Sequence, residues 1–439
     1  MKVLRAGLCV LLAFAVLAHG AVEVWSESIV EIGAAVLLVL WACVTFLDLS
    51  QGRKTEIQWN PLNWPLLAFC GIGAMQLFFH LTAYPFLTRA ELLRAASCWI
   101  VFFLATQAFR SRSELSGLAW FVVLFCFAVS LLGIAQYFTA GDEIYWFRLA
   151  GNGVKPFGPF VNRNHFAGFI ELTLPTGLAL LMLRGLRRDL APMIAVLTLV
   201  PVSAMVLSSS RAGIIGMGIE ICILAAFRIA RRGSERLRLG PLAGAVAAGV
   251  ILIGWVGAGN AMARFRPGRD TGVSLGKRTA MVHGALNIFL DHPISGSGLG
   301  TTVAVYPRYE TMYDGKLIDH VHNDYAEALA ETGILGAGCG LAFLFLLFRE
   351  ARKNYVAEQG HFSRALHAGA IAAVAGLLFH SFFDFNLHIF SNALLFLLQA
   401  FLITATPVGS TSFQNGTEEV PHRSRSMRRR SRSAEAGAF

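Results

Sequence analysis

The sequence contains little charge. Only 15% of its 439 residues are Asp, Glu, Lys or Arg, whereas 55% are apolar and 34 are Phe. Soluble domains usually carry charge on about a quarter of their residues, so this composition excludes an ordinary soluble enzyme or binding module. It indicates an integral membrane protein.

Cysteine is also scarce, and its spacing gives no indication of a site. The seven Cys lie in apolar stretches, and no two of them form a CxxC pair. This pattern argues against a disulfide framework and against a cysteine-based zinc site. The cysteines are best explained as small packing residues.

Long apolar runs are abundant instead. The hydrocarbon core of a bilayer is about 30 Å thick and needs roughly 20 apolar residues per helix. The sequence contains about twelve such runs, at residues 3–19, 28–48, 63–82, 92–109, 116–138, 164–183, 190–208, 211–229, 240–258, 332–348, 365–384 and 387–405. The first could instead be a cleaved signal peptide, because small residues follow it. The fold class predicted is an all-α membrane protein of about twelve transmembrane helices.

The distribution of Lys and Arg predicts the orientation of these helices. With the N terminus inside, most cations fall in the inside segments. Two long loops, 139–163 and 259–331, then face outward, and the second, between spans nine and ten, is long enough to need helices of its own. We therefore expect N-terminal transmembrane helices over 1–138, a second transmembrane region over 139–405 and a disordered cytoplasmic tail over 406–439.

The tail contains a cluster of Arg between 423 and 432. These charges could bind the headgroups of membrane lipids, or they could only anchor the topology. Nucleic acid is not an expected partner, because no aromatic residues that could stack on bases accompany the cluster.

Two patterns occur in the long outer loop. The segment GKRTAMVHGALNIFLDHP, 276–293, has helical apolar spacing, which predicts an amphipathic helix on the bilayer surface or against the span mouths. Arg278 near its start suits two-pronged phosphate contacts. GSGLG at 296–300 predicts a tight turn, since the strand and the Lys-Ser/Thr of a phosphate-binding loop are missing.

Residues 320–336, HVHNDYAEALAETGILG, are the densest polar stretch. Asp324 and Glu327 have the spacing of a capping box, and Gly333 predicts the helix end. His322 and Asn323 would then precede a helix N terminus, which attracts anions and favours neutral imidazole. A neutral His beside an anionic leaving group can act as a general base.

Two other interpretations of this stretch stay open. The histidines could be ordinary interfacial residues. Alternatively, His320, His322, Asp319 and Asp324 could bind a metal, although histidines two apart converge only on a strand.

Three further groups of polar residues stand at span ends. Arg211, in LSSSRAGIIG, is a functional candidate unless it only reaches toward lipid headgroups. The residues Asn162 to His165 either contact a polar substrate or cap the following helix. His380 and Asp384 are four apart in an apolar run, which predicts that they pair with each other.

Three motifs follow one another in the sequence: the Arg of SSSRAG, then KR before a helix that ends in DHPISGSGLG, and then HVHNDYAEALAETGILG. Their order resembles that of the O-antigen ligase and polymerase family of bacterial envelopes. The resemblance extends over about 155–400. It implies metal-independent, inverting transfer of a glycan from an undecaprenyl-diphosphate carrier to an acceptor hydroxyl, at the periplasmic face of the inner membrane, in a GT-C-like fold without cofactors. The family's two arginines and histidine correspond to Arg211, Arg278 and His322.

The resemblance leaves the acceptor open. A lipid A core acceptor would make the protein a ligase, and a saccharide acceptor would make it a polymerase of O-antigen or exopolysaccharide. Residues expected to bind these substrates are Asn323, Asp324, Lys277, Arg163, Asn164, His165 and Arg308. A solute or bicarbonate transporter is the alternative from another class, but the polar residues cluster outside rather than at mid-membrane.

Overall fold

The computed structural model describes residues 1–150, 155–230, 275–313, 315–357 and 360–405. Helices dominate these ranges, and one hairpin of two-residue strands, β1 (Glu143–Ile144) and β2 (Arg148–Leu149), lies in the first long loop. The helices are α1 Lys2–Leu17, α2 Val24–Ser50, α3 Asn63–Phe78, α4 Pro85–Ala108, α5 Arg112–Thr139, α6 Arg163–Met182, α7 Ala191–Ser208, α8 Arg211–Ala230, α9 Leu275–Asp291, α10 Thr302–Val305, α11 Asp324–Ala357, α12 His361–His380 and α13 Phe390–Thr404.

Helices occupy eleven of the twelve predicted span positions. The predicted span 240–258, the start of the loop at 259–274 and the tail 406–439 lie outside the described residues. By length and composition, seven described helices can cross a membrane, namely α2, α5, α6, α7, α8, α11 and α12, and α3 and α13 are shorter apolar helices. The chain is therefore a multi-pass, mainly helical membrane protein, and the count of twelve stays a prediction.

Helix α6 is the centre of the bundle. It packs against α5, α7, α8, α12 and α13, and nearly all of its residues are buried. Its closest neighbour is α12, whose sequence is rich in Ala and Gly. A Cβ on Gly369 of α12 would lie 2.8 Å from the carbonyl oxygen of Pro175 on α6. Small residues thus let the two backbones approach closely, as is common between membrane helices.

The predicted amphipathic helix is present as α9. Its apolar face, Met281, Ala285 and Ile288, is buried together with Tyr306 and Val321. Helix α9 packs on α11. The helix therefore packs against neighbouring helices, and its position relative to the bilayer surface stays a prediction.

Helix α11 is broken at Gly333, where φ is 61° and ψ is −156°. A Cβ there would lie 2.4 Å from the carbonyl oxygen of Ile294, so the close approach requires glycine. The predicted helix end at Gly333 thus corresponds to a real break. The second half continues as the apolar span, so the predicted span 332–348 is one part of a longer element.

The GSGLG segment is a tight turn, as predicted. Gly296, Gly298 and Gly300 all have positive φ. The backbone amides of Gly300 and Thr302 donate to the Glu331 carboxylate at 2.8 and 2.9 Å. These backbone amides already donate to a carboxylate of the protein, so they are not available to bind a phosphate.

Candidate active site

A His–Asp pair lies where the turn 381–389, between α12 and α13, meets the residues that precede α11. Nδ1 of His322 is 2.9 Å from Oδ1 of Asp384. Asp384 is fully buried and also accepts hydrogen bonds from Nδ2 of Asn164 at 2.6 Å and from the Phe385 amide at 3.0 Å. The carboxylate is therefore saturated with donors from three segments.

The surroundings of Asp384 fix its charge. Burial alone raises the pKa of its carboxyl, but His322 opposes this by charge and by its hydrogen bond, and His165 adds to that effect, so the pKa is well below its usual range. An ionised carboxylate only accepts hydrogen bonds, so Nδ1 of His322 must donate. In the neutral ring the lone pair then lies on Nε2.

Nε2 of His322 meets no hydrogen-bond partner among the described residues, and the side chain keeps 15% of its surface exposed. The buried carboxylate orients the imidazole through one ring nitrogen and leaves the other ring nitrogen free to accept a proton. This arrangement suits general-base catalysis. The geometry therefore supports a proton acceptor at His322.

Local backbone structure holds His322 in place. Its φ is +52°, a left-handed value that costs a non-glycine residue about 1–2 kcal/mol. The next residue, Asn323, caps α11 by accepting from the Ala326 amide at 2.9 Å and donates to the Phe382 carbonyl at 3.1 Å. Asn323 thus ties the start of α11 to the turn that carries Asp384.

The predicted capping box of Asp324 and Glu327 is wrong. Helix α11 does begin at Asp324, but the cap is Asn323, one residue earlier. Asp324 instead accepts from the Leu387 amide at 3.2 Å, and Glu327 accepts from the Val321 amide at 3.0 Å. Both carboxylates serve contacts with neighbouring segments, which sequence spacing cannot show.

The start of α6 is capped as predicted, and it also contacts Asp384, while contact with a substrate stays a prediction. Asn162 caps the helix by accepting from the Asn164 amide at 2.9 Å. Asn164 binds Asp384, and Nε2 of the buried His165 is 3.9 Å from the same carboxylate. Arg163, the first residue of α6, is half-buried at this end of the helix.

Arg278 reaches the same turn from α9. Its Nη1 donates to the carbonyl of Phe383, the residue before Asp384, at 2.8 Å. Its Nε is buried without a hydrogen-bond partner among the described residues. A guanidinium carries five N–H donors, so Arg278 retains capacity for an anion beside the His–Asp pair. Lys277, half-buried, precedes it in the first turn of α9.

Arg211 is the first residue of α8, directly after Ser210, whose Oγ accepts from the Gly213 amide at 3.3 Å. A Cβ on Gly213 would lie 2.6 Å from Cβ of Ala167, so the first turns of α8 and α6 are in contact. The exposed Arg211 is therefore at the same end of the bundle as Asn164. Arg308 is exposed in the 3-10 helix Tyr306–Arg308, and no hydrogen bond or ion pair between described residues joins it to the His–Asp pair.

The predicted pairing of His380 with Asp384 is wrong. Helix α12 ends at His380, whose Nδ1 is 2.7 Å from Oε2 of Glu171 on α6, with both residues fully buried. The chain then turns, and Asp384 is directed toward His322. The prediction assumed that the helix continued through Asp384.

A second cluster adjoins the pair across the ring of Phe385. Nδ1 of His320 is 2.6 Å from Oε1 of Glu327, and Nε2 of His388 is 3.7 Å from the same oxygen. Nδ1 of His388 is 2.8 Å from Asp324. Burial lowers the pKa of His388, but the charge of Glu327 and the bond to Asp324 outweigh burial and raise it to about 10. Sequence spacing gave no indication that His388 belongs here.

An apolar cavity of about 320 Å³ lies between α3, α4, α11 and α13. Its lining includes the apolar Phe69, Leu344 and Phe396 and the ionisable Glu91, Arg94, Asp324, Glu331 and His388. Arg94 already pairs with Glu91 at 3.0 Å. Three carboxyl groups thus line the cavity against two basic groups, so the cavity does not suit a diphosphate, whereas its apolar lining suits an apolar chain.

One stretch of the chain is similar to a known protein family. Residues 193–341 match the family model described as O-antigen ligase. This part of the chain is similar to the O-antigen ligase family. It contains Arg211, Arg278 and His322, while Asn164 and Asp384 lie outside the match. A search of curated proteins found no match. The family supports glycan transfer of the O-antigen ligase or polymerase type.

Proposed function

We propose that the protein transfers a glycan from an undecaprenyl-diphosphate carrier to an acceptor hydroxyl at the periplasmic face of the inner membrane. The observation that carries the proposal is the pair of His322 and the buried Asp384, with Arg278 bonded to the adjacent Phe383 carbonyl. The similarity of residues 193–341 to the O-antigen ligase family supports the donor class.

In this mechanism, His322 removes the acceptor proton through Nε2 while the acceptor oxygen attacks the anomeric carbon. Asp384 keeps the ring in the required tautomer and stabilises the imidazolium that forms. The bond from the sugar to the diphosphate breaks on the opposite face, so the configuration at the sugar inverts. The lipid diphosphate leaves as an anion.

Arg211 and Arg278 are the proposed partners of that anion. Negative charge develops on the diphosphate as it departs, and fixed cations stabilise it without a metal ion. Lys277, Arg163, Asn323 and His165 surround the same region and are proposed to contact the donor or the acceptor. Of the other predicted substrate contacts, Asp324 is bonded to Leu387 and His388 and is not retained, whereas the exposed Arg308 stays a proposed contact.

The apolar cavity beside Asp324 and His388 is proposed to receive part of a lipid chain of donor or acceptor. The acceptor decides between ligase and polymerase, and we propose ligation to lipid A core as the first function to test. Purified protein, a lipid-linked glycan donor and either lipid A core or free saccharide would be incubated together. Product on lipid A core supports ligation, product on saccharide supports polymerisation, and absence of both contradicts glycan transfer.

A further inference from the structure

The cluster of His320, Glu327 and His388 has the composition of a metal-binding site. One ligand atom from each residue lies within 4.8 Å of the others. Two imidazoles with one carboxylate are a ligand set that suits Zn²⁺. We propose that these three side chains bind a zinc ion that is separate from the reacting atoms of the transfer reaction.

The two distances to Glu327 fit such an ion after small side-chain movements, and all three ligand atoms lie within 4.8 Å of one another. Ligand atoms of a tetrahedral zinc site lie about 3.4 Å apart, given bonds of about 2.0–2.2 Å. Nδ1 of His320 and Nε2 of His388 are 2.6 and 3.7 Å from Oε1 of Glu327. An ion among these atoms would lengthen the first distance and shorten the second, each by less than about 1 Å.

The groups around the ligands have the roles expected at a zinc site. A ligating histidine typically donates its other N–H to a carboxylate, which fixes its tautomer and orientation. Nδ1 of His388 lies 2.8 Å from Oδ1 of Asp324 in this way, leaving Nε2 toward Glu327. The second oxygen of Glu327 accepts from the Val321 amide at 3.0 Å. Three protein ligands leave one of the four coordination positions of the ion open, and a water molecule would fill that position.

This site differs from the metal site considered from sequence. His322 is bonded to Asp384 rather than to the cluster, and the exposed Asp319 accepts from the backbone amide of His320. His388, 68 positions after His320 in the chain, takes their place. The histidines two apart therefore belong to different clusters, and the Phe385 ring contacts both of them.

The ion would have a structural consequence. His320 belongs to the segment that carries His322, and His388 belongs to the turn that carries Asp384. One ion bound to both would hold the two halves of the His–Asp pair at a fixed separation. The proposed role is positioning, so metal content and thermal stability are the readouts, and neither depends on donor or acceptor.

The test uses the full-length chain, purified in detergent without a histidine tag and washed briefly with chelator. Mass spectrometry of its metals should find about one zinc per chain. Glu327→Gln and His388→Gln should lower that content at least tenfold, whereas His292→Gln, at an exposed histidine outside the cluster, should retain it. Zinc at the wild-type level in both cluster variants would overturn the proposal.

A titration covers variants that fail to fold. Zinc chloride added to chelator-stripped wild type should raise its melting temperature, and magnesium chloride should not. His320→Gln, which alters the most exposed ligand at 27%, should remove the zinc response while leaving the protein monodisperse. A wild type that neither retains zinc nor responds to it overturns the site, and the cluster is then a hydrogen-bonded network with a protonated His388. Neither readout uses donor or acceptor, so a failure of this site and a failure of glycan transfer are distinguishable.

Discussion

Asp384→Asn is the sharpest perturbation of the proposed base. The change keeps the size of a fully buried side chain but removes its charge. If the amide oxygen still faces His322 and the Phe385 amide, the ring keeps its tautomer and loses the charge assistance of the bond, and Asn164 must turn its amide so that its oxygen accepts from the new NH₂ group. A hydrogen bond to a charged group contributes about 1.5–3 kcal/mol, so transfer should slow by about tenfold to 150-fold.

The loss is larger if the amide turns the other way. The NH₂ group would then face Nδ1 of His322, which would have to accept, and the proton would move to Nε2. An imidazole in the wrong tautomer cannot serve as a base, and the loss should approach about 10⁴-fold. The measurement is the initial rate of glycan transfer by purified protein with saturating lipid-linked donor, together with donor binding.

The matched control is Asp319→Asn, the same chemical change at an exposed residue of the neighbouring segment. The control should retain transfer within about twofold, because surface changes of this kind have small effects. An Asp384→Asn protein with a rate equal to that of the control would refute the orienting role of Asp384. A protein that is slow and also unable to bind donor would make Asp384 a structural residue.

Further predictions concern charge, stability and the backbone. Arg278→Ala should weaken donor binding and slow transfer together, and Arg211→Lys should restore only part of the activity lost in Arg211→Ala, since an ammonium lacks the planar two-pronged contact; unchanged donor affinity in the alanine variants would contradict this. Magnesium or manganese ions, added to protein that has been washed briefly with chelator, should leave the transfer rate unchanged. A transfer rate that depends on these ions would contradict metal-independent departure of the diphosphate. The pKa of Asp384 is depressed in the folded protein, so its ionised carboxylate stabilises the fold above about pH 4, and this stabilisation is lost as the pH falls further. The difference in melting temperature between wild type and Asp384→Asn should therefore narrow from pH 6 to pH 3. Gly296→Ala should lower the melting temperature, because its Cβ would lie 2.1 Å from the backbone of Glu331 and φ is +71°; an unchanged value would contradict the close approach.

Much of the fold could be predicted because membrane spans depend on local composition. Apolar runs of about 20 residues are visible in sequence, and the capping of α6 by Asn162 depends on residues two apart. The amphipathic face of α9 was visible for the same reason. Helix ends were harder: α12 stops at His380, where an apolar run continues.

The candidate site could be predicted only in part. His322 and Asn323 stand out because polar residues are rare around them. Asp384 contacts His322 across 62 positions of the chain, and no local pattern records that pairing. Glu327 and His388 are likewise joined only by the packing of α11 against the turn 381–389. Spacing placed the polar residues correctly but assigned Asp324, Glu327 and Asp384 to the wrong partners.

The most direct test of the central claim is His322→Ala, measured for glycan transfer and for donor binding in the same preparation. Positioned general bases contribute about a hundredfold to ten-thousandfold, so transfer should fall by that factor. Donor binding should remain near the wild-type level, because the base acts only on the acceptor proton as the new bond forms. A His322→Ala protein that transfers glycan at a near-normal rate would contradict the account.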